Sequence, residues 1–70
     1  MTYSNETTKN ANRYIMLVQK YETAKAQEQF GLADAYALRA SQTGVWLINH
    51  GVQERTLSAL RSQALATMAA

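Results

Sequence analysis

The sequence predicts an all-α protein of three helices: an antiparallel helical hairpin followed by a third helix. Three observations lead to this prediction. The 70-residue chain has no proline and only three glycines. Good helix formers (alanine, glutamine, leucine and arginine) dominate after the first few residues. Apolar residues recur at three- and four-residue steps in three separate segments, which is the spacing of an amphipathic helix. The length indicates a single domain.

The first helix is predicted over residues 6–29, after a flexible polar lead-in over residues 1–5. Residues 6–70 then form the single helical domain. Ser4 or Asn5 can cap this helix, and Glu6 lies near its positive N-terminal end. Its apolar positions are Ala11, Tyr14, Leu17 or Val18, Tyr21 and Ala24.

The second helix is predicted over residues 32–49. Gly31 fits the left-handed residue that ends helix 1, and Asp34 suits the first turn of helix 2. His50 and Gly51 form a C-terminal signal. Two alternatives remain: a break over residues 41–44, or a short strand over residues 45–48. The strand is disfavoured because no second alternating segment exists to pair with it.

The third helix is predicted over residues 53–68. One apolar stripe defines it, formed by Leu57, Leu60, Ala64, Leu65 and Met68. The alanine-rich end is expected to fray unless a partner holds it.

Surplus apolar surface predicts a homo-oligomer. Small residues at helical spacing (Ala33, Ala37, Ala40 and Gly44) would let another backbone approach closely. Residues 14–18 and 45–48 are apolar all the way round, so a three-helix monomer would leave part of them in water. Trp46 is equally consistent with an interface anchor and with a core residue. The predicted protein interface comprises Tyr14, Ile15, Leu17, Val18, Ala37, Ala40, Gly44, Trp46, Leu47 and Ile48.

The sequence offers no catalytic constellation, so we expect a protein that is not an enzyme, with no catalytic residues. Cysteine is absent and His50 is the single histidine, which argues against a metal site, and no glycine-rich phosphate loop is present. We therefore expect no cofactor and no metal. No apolar run approaches the ~18–20 residues that span a bilayer, and the N-terminus does not resemble a secretion signal. A cytoplasmic protein without membrane contact is the expectation.

A basic stripe on helix 1 supports an alternative function. The chain carries a formal net charge of +2. Lys9, Arg13 and Lys20 share a face, Lys25 extends the set, and such a line could follow a phosphate backbone. An ordinary solvated face explains the same residues, because few charges cluster there. Arg61, with Arg13 and Lys20, is a further charged candidate for orienting a partner.

The segment from Ala24 to Gly31 (AKAQEQFG) and the alanine-rich residues 33–40 resemble a single tetratricopeptide-like hairpin. The arrangement is similar to the small AraC-negative-regulator family, with Glu28, Gly31, Ala37 and Arg61 in matching places. This sequence has Ala40 where the family has tryptophan. It has Glu54 and Leu57 in place of an asparagine–tryptophan step, and Leu65 in place of a late cysteine. The resemblance implies a small oligomeric regulator that binds transcription activators.

The predicted function is therefore regulatory or inhibitory binding to a protein partner, by a protein of the kind that phages or plasmids encode. The first alternative is a nucleic-acid-binding helical hairpin that uses the basic stripe of helix 1. The second alternative is a structural subunit whose whole function is self-assembly.

Overall fold

The computed structural model describes residues 3–69, which form three α-helices and no strand. The helices are α1 (Asn5–Ala26), α2 (Phe30–Asn49) and α3 (Glu54–Ala69). The predicted all-α class of three helices is confirmed. Residues 1–2 of the predicted lead-in and Ala70 lie outside the described residues.

The start of α1 is fixed by a side-chain cap. The Ser4 hydroxyl oxygen accepts a hydrogen bond from the Thr7 backbone N–H at 3.1 Å, and the two hydroxyls lie 2.9 Å apart. This bond satisfies one of the backbone donors that the first turn leaves free. Of the two predicted caps, the structure uses Ser4, so the helix begins one residue before the predicted start.

The end of α1 differs from the prediction. Glu28, not Gly31, adopts the left-handed conformation, with φ at +59°. The Gln29 N–H donates to the Ala24 carbonyl at 2.9 Å and the Glu28 N–H donates to the Lys25 carbonyl at 3.1 Å, which is a Schellman motif. The helix therefore ends at Ala26, three residues early. Gly31 instead lies in the first turn of α2, where an added Cβ would meet nothing within 4 Å.

Helix α2 is continuous through Gly44, so neither the break at residues 41–44 nor the strand at residues 45–48 forms. It begins two residues before the predicted start, which places Asp34 beyond the first turn. The predicted C-terminal signal is confirmed: Gly51 has φ at +94°, and the Val52 N–H donates to the Leu47 carbonyl at 3.0 Å. Val52 and Leu47 are both buried, which adds the apolar contact typical of this cap.

The three helices pack with α1 in the middle. Helices α1 and α2 are antiparallel, because Lys20 lies over Tyr36 whereas Tyr14 lies beside Gly44. Helix α3 runs parallel to α1, with Arg61 bonded to Tyr14 and the Gln19 side chain donating to the Ala64 carbonyl. Because α3 packs mainly on α1, its contact with α2 is slight.

The core lies where the three helices meet near the α2–α3 turn. Leu47 has no exposed area, and it is the only large side chain among residues 3–69 that is fully enclosed. The remaining members of the core cluster are Tyr14, Leu17, Ala40, Val52 and Leu57. Gly44 allows this packing, since a Cβ there would lie 3.3 Å from the Tyr14 ring and 3.6 Å from Leu57.

Candidate protein-binding groove between α2 and α3

Helix α2 carries a second apolar stripe that no other part of the described chain covers. Five large apolar side chains of α2 are exposed, and all but Leu32 belong to this stripe: Phe30 by 59%, Leu38 by 61%, Val45 by 57% and Ile48 by 41%. With the exposed Ala37 and Ser41 between them, their spacing places them on one side of the helix. We call this set the outer stripe of α2: Phe30, Ala37, Leu38, Ser41, Val45 and Ile48.

Part of the outer stripe forms one wall of an open groove, which we call the α2–α3 groove. Two adjoining cavities make up this groove, and both are lined by Tyr14, Ala40, Ser41 and Arg61. The floor comes from α1, and the walls come from α2 and α3 because those helices separate beyond their turn. The other lining residues are Val18, Tyr21, Glu22, Ala37, Gly44, Val45, Ile48, Glu54, Leu57 and Leu65.

Arg61 and Tyr14 form the polar centre of the groove. The Arg61 guanidinium donates a hydrogen bond to the Tyr14 hydroxyl at 2.9 Å. The Tyr14 ring is buried, and its edge lies against Gly44, so the ring and the arginine are held in place together. Arg61 is itself exposed and forms no ion pair within the described residues. A fixed positive charge therefore lies in the middle of a mostly apolar groove.

The structure divides the predicted interface residues into three groups. Five lie inside the chain's own core and contribute little surface to a partner: Tyr14, Leu17, Ala40, Gly44 and Leu47. Ile15, Val18 and Trp46 are half-buried, whereas Ala37 and Ile48 are exposed. The small-residue stripe thus packs against α1 through three of its members, and only Ala37 faces solvent. An interface with another chain remains a prediction for the surface-exposed members.

Trp46 lies on the opposite side of α2 from Ala37, outside the groove. Its ring packs against the core cluster and stacks on the His50 ring, with 3.7 Å between centroids and 14° between planes. The His50 Nδ1 lies 2.7 Å from the Trp46 carbonyl oxygen. Because a carbonyl only accepts, Nδ1 is the donor in this bond. The stacked Trp46 and His50 rings therefore lie together at the C-terminal end of α2.

The predicted interface did not include Phe30, Leu38, Ser41, Val45 or Leu65. For the four residues in α2 the signal was present, because apolar residues there follow two interleaved helical stripes and not one. The prediction used the small-residue stripe instead. Small side chains permit the close approach of any helix, and here that helix is α1 of the same chain.

The predicted basic stripe separates into two parts. Lys9, Arg13 and Lys20 are exposed and share one face of α1, with the Lys20 Nζ 5.9 Å from the Tyr36 ring centroid. Lys25 lies elsewhere: its Nζ is 3.3 Å from a Glu22 carboxylate oxygen and 4.9 Å from the Tyr21 ring centroid. The hydrogen bond and charge of Glu22 raise the pKa of Lys25. Within residues 3–69 this is the one ion pair.

The described residues contain neither a candidate metal site nor a membrane-spanning helix. No group of three or more histidine, cysteine, aspartate or glutamate side chains is placed to hold a metal ion within residues 3–69. None of the described helices is long and apolar enough to cross a membrane. Comparison with protein-family models, with curated proteins and with solved structures gave no match.

Proposed function

We propose that this chain is a non-enzymatic binding protein that regulates or inhibits another protein. In this proposal a helix of the other protein docks in the α2–α3 groove. The observation that supports the proposal is the outer stripe, because contiguous exposed apolar residues mark interaction surfaces. A groove between two helices over a third is a surface into which an amphipathic helix can lay its apolar face.

The total surface supports the same proposal. The chain exposes 4945 Å², whereas a compact monomer of 7.8 kDa would expose about 4,400 Å². The chain is elongated, with extents of 40 × 25 × 19 Å. A standard interface covers about 800 Å² on each partner. A helix along the groove would therefore cover a surface that the fold leaves open.

The polar groups in and beside the groove favour a docking role over a catalytic one. Arg61 is held by the Tyr14 hydroxyl, and Lys25 is paired with Glu22. Glu54 lies at the end of the groove near Ile48, where a carboxylate favours a partner with a complementary positive charge. These groups orient a partner, and the proposal assigns none of them a catalytic role.

The resemblance to the AraC-negative-regulator family would make the partner a transcription activator. Under the proposal the chain is a cytoplasmic regulator, of the kind that phages and plasmids encode. The family implies an oligomer, and a surface with surplus apolar area is compatible with one.

A photo-crosslinking experiment tests the proposal. A photoreactive phenylalanine analogue replaces Ser41, on the groove wall, or Arg39, which is the exposed matched control two residues away on the opposite side of α2. After irradiation in an extract of the source cells, we expect adducts with a protein from position 41 and none from position 39. Equal yields from the two positions, or no adduct from position 41, would refute docking in the groove.

Nucleic-acid binding is a second candidate, favoured by the three exposed cations that share one face of α1 without an ion pair. Its test is the anisotropy of a labelled duplex at rising salt, with wild type and with Arg13→Gln combined with Lys20→Gln. Binding through this face would weaken with salt and weaken further in the variant, because phosphate contacts release counterions. Binding that ignores both changes would reject this candidate.

A further inference from the structure

We infer that the helix occupying the α2–α3 groove is α2 of a second copy of this chain, in a two-fold symmetric, antiparallel dimer. The inference rests on the proposed docking function of the groove and names its occupant in the protein alone, before a regulated protein displaces the second copy. It uses three features of the described residues: the size pattern of the outer stripe, the positions of two unpaired charges, and the uncapped start of α2.

Four of the six members of the outer stripe pair by size about the middle of the helix, and Leu38 and Val45 flank these four on one side. Phe30 and Ile48 are its large terminal residues, eighteen positions apart, and they point in the same direction after five helical turns. Ala37 and Ser41 are small and lie in the middle. If two such stripes pack antiparallel about a two-fold axis near residue 39, each Phe30 lies opposite the partner copy's Ile48. Each Ala37 then lies opposite the partner copy's Ser41. A two-fold interface requires this self-complementarity.

The same register places opposite charges together. Asp34 is exposed, lies among the outer-stripe residues, and forms no ion pair within residues 3–69. In the antiparallel arrangement it lies opposite Gly44 of the second copy. Arg61 and Gly44 line the same cavity in every copy, because the Arg61 guanidinium donates to the hydroxyl of Tyr14, whose ring contacts Gly44. The dimer therefore brings each Asp34 towards the other copy's Arg61, twice by symmetry.

A second electrostatic contact follows from this register. Helix α2 begins at Phe30 without a side-chain cap and without an acidic residue in its first turn. Glu54 lines the groove beside Ile48, so the dimer carries this carboxylate to the start of the other copy's α2. A negative charge stabilises the positive N-terminal end of a helix. Apolar size, ion pairing and helix-end charge thus agree on one arrangement.

Sedimentation velocity over a range of concentrations tests the dimer, with two exposed alanines of α2 as a matched pair. Ala37→Glu places charge in the middle of the stripe, whereas Ala35→Glu places the same charge outside the stripe. We expect wild type and Ala35→Glu to dimerise and Ala37→Glu to sediment as a monomer with unchanged helicity. A dimer that Ala37→Glu leaves intact would overturn the inference.

Charge exchange tests the register. Asp34→Arg should raise the dimer dissociation constant by about tenfold or more, because two like-charge contacts replace two ion pairs. Arg61→Asp should do the same, and circular dichroism separates this effect from the loss of the bond to Tyr14. Combining the two substitutions should restore much of the wild-type affinity. A double variant no tighter than the weaker single variant would refute the antiparallel pairing.

Sedimentation also distinguishes a failure of the dimer from a failure of the docking function. A wild-type chain that stays monomeric at every concentration overturns the dimer. If position 41 then crosslinks to a different protein, the docking function stands without the second copy. If it forms no adduct, the docking function fails as well.

Discussion

The two faces of α2 both carry apolar residues, but the residues differ in size. The buried residues of the inner face, against α1, are mainly small (Ala33, Ala40 and Gly44), with Leu47 as the one large side chain that is fully buried. The outer stripe carries the large residues Phe30, Leu38, Val45 and Ile48, all exposed. The comparison indicates that small residues are placed where two backbones must approach closely. The large apolar residues are left for a surface that the chain does not cover itself.

A helix that is apolar on both sides is typical of one buried between neighbours. Here one neighbour, α1, is present in the chain, while α3 packs mainly on α1 and leaves the outer stripe open. The inner face therefore accounts for the fold, and the outer stripe is the surface to which we assign binding. Substitutions on the two faces should separate stability from association.

The largest expected effect comes from truncating one side chain on each face. Leu47→Ala should lower the free energy of unfolding by about 2–5 kcal/mol, because it removes a fully enclosed side chain and leaves a cavity. Val45→Ala, two residues away on the outer stripe, should change it by less than about 0.5 kcal/mol in the dilute chain. Urea unfolding at low protein concentration measures both values. Equal losses would erase the distinction between the faces.

The two glycines of α2 provide the next test. Gly44→Val should cost about 1–3 kcal/mol, since a Cβ alone would already lie 3.3 Å from Tyr14 and further methyl groups would overpack the site. Gly31→Ala should instead stabilise the chain by about 0.5 kcal/mol, because its Cβ enters open space and alanine favours a helix. Thermal unfolding would show the opposite signs. A stabilised Gly44→Val would mean that the helices do not approach closely there.

The smallest effect concerns the left-handed residues that follow the C-terminal ends of α1 and α2. Glu28→Gly should stabilise the chain by about 0.5–1 kcal/mol, because a left-handed conformation is strained for glutamate and free for glycine. Gly51→Ala should destabilise it by about 1 kcal/mol for the converse reason. Both values follow from the midpoints of urea unfolding. A loss of stability in Glu28→Gly would contradict the left-handed assignment of that residue.

The sequence predicted the helices well where the apolar periodicity and the capping residues indicated the same helix end. Gly51 follows the last periodic residue of α2, and Ser4 precedes the first turn of α1, so their roles could be recognised from composition and position alone. The end of α1 could not, because Glu28 adopts a conformation that its residue type disfavours. Gly31 is the residue type expected to end α1, but the left-handed conformation that ends the helix occurs at Glu28, three residues earlier.

The candidate site was predicted only in part. The apolar run at residues 45–48 correctly indicated that some of these side chains must be exposed, and Val45 and Ile48 are. The sequence could not show which helix meets the small residues, since any helix satisfies that pattern. It also could not show that Arg61 is held by Tyr14, forty-seven positions away. That contact depends on α3 running parallel to α1.

Thiol labelling tests most directly whether another chain covers the outer stripe of α2. The protein has no cysteine, so Val45→Cys and Arg39→Cys each introduce one thiol, the first on the stripe and the second on the exposed side of α2 that faces away from it. Maleimide reaction rates are compared at low and high protein concentration and in an extract of the source cells. We predict that the Val45→Cys thiol becomes protected as concentration rises, while the Arg39→Cys thiol does not. Equal rates at both positions under every condition would contradict it.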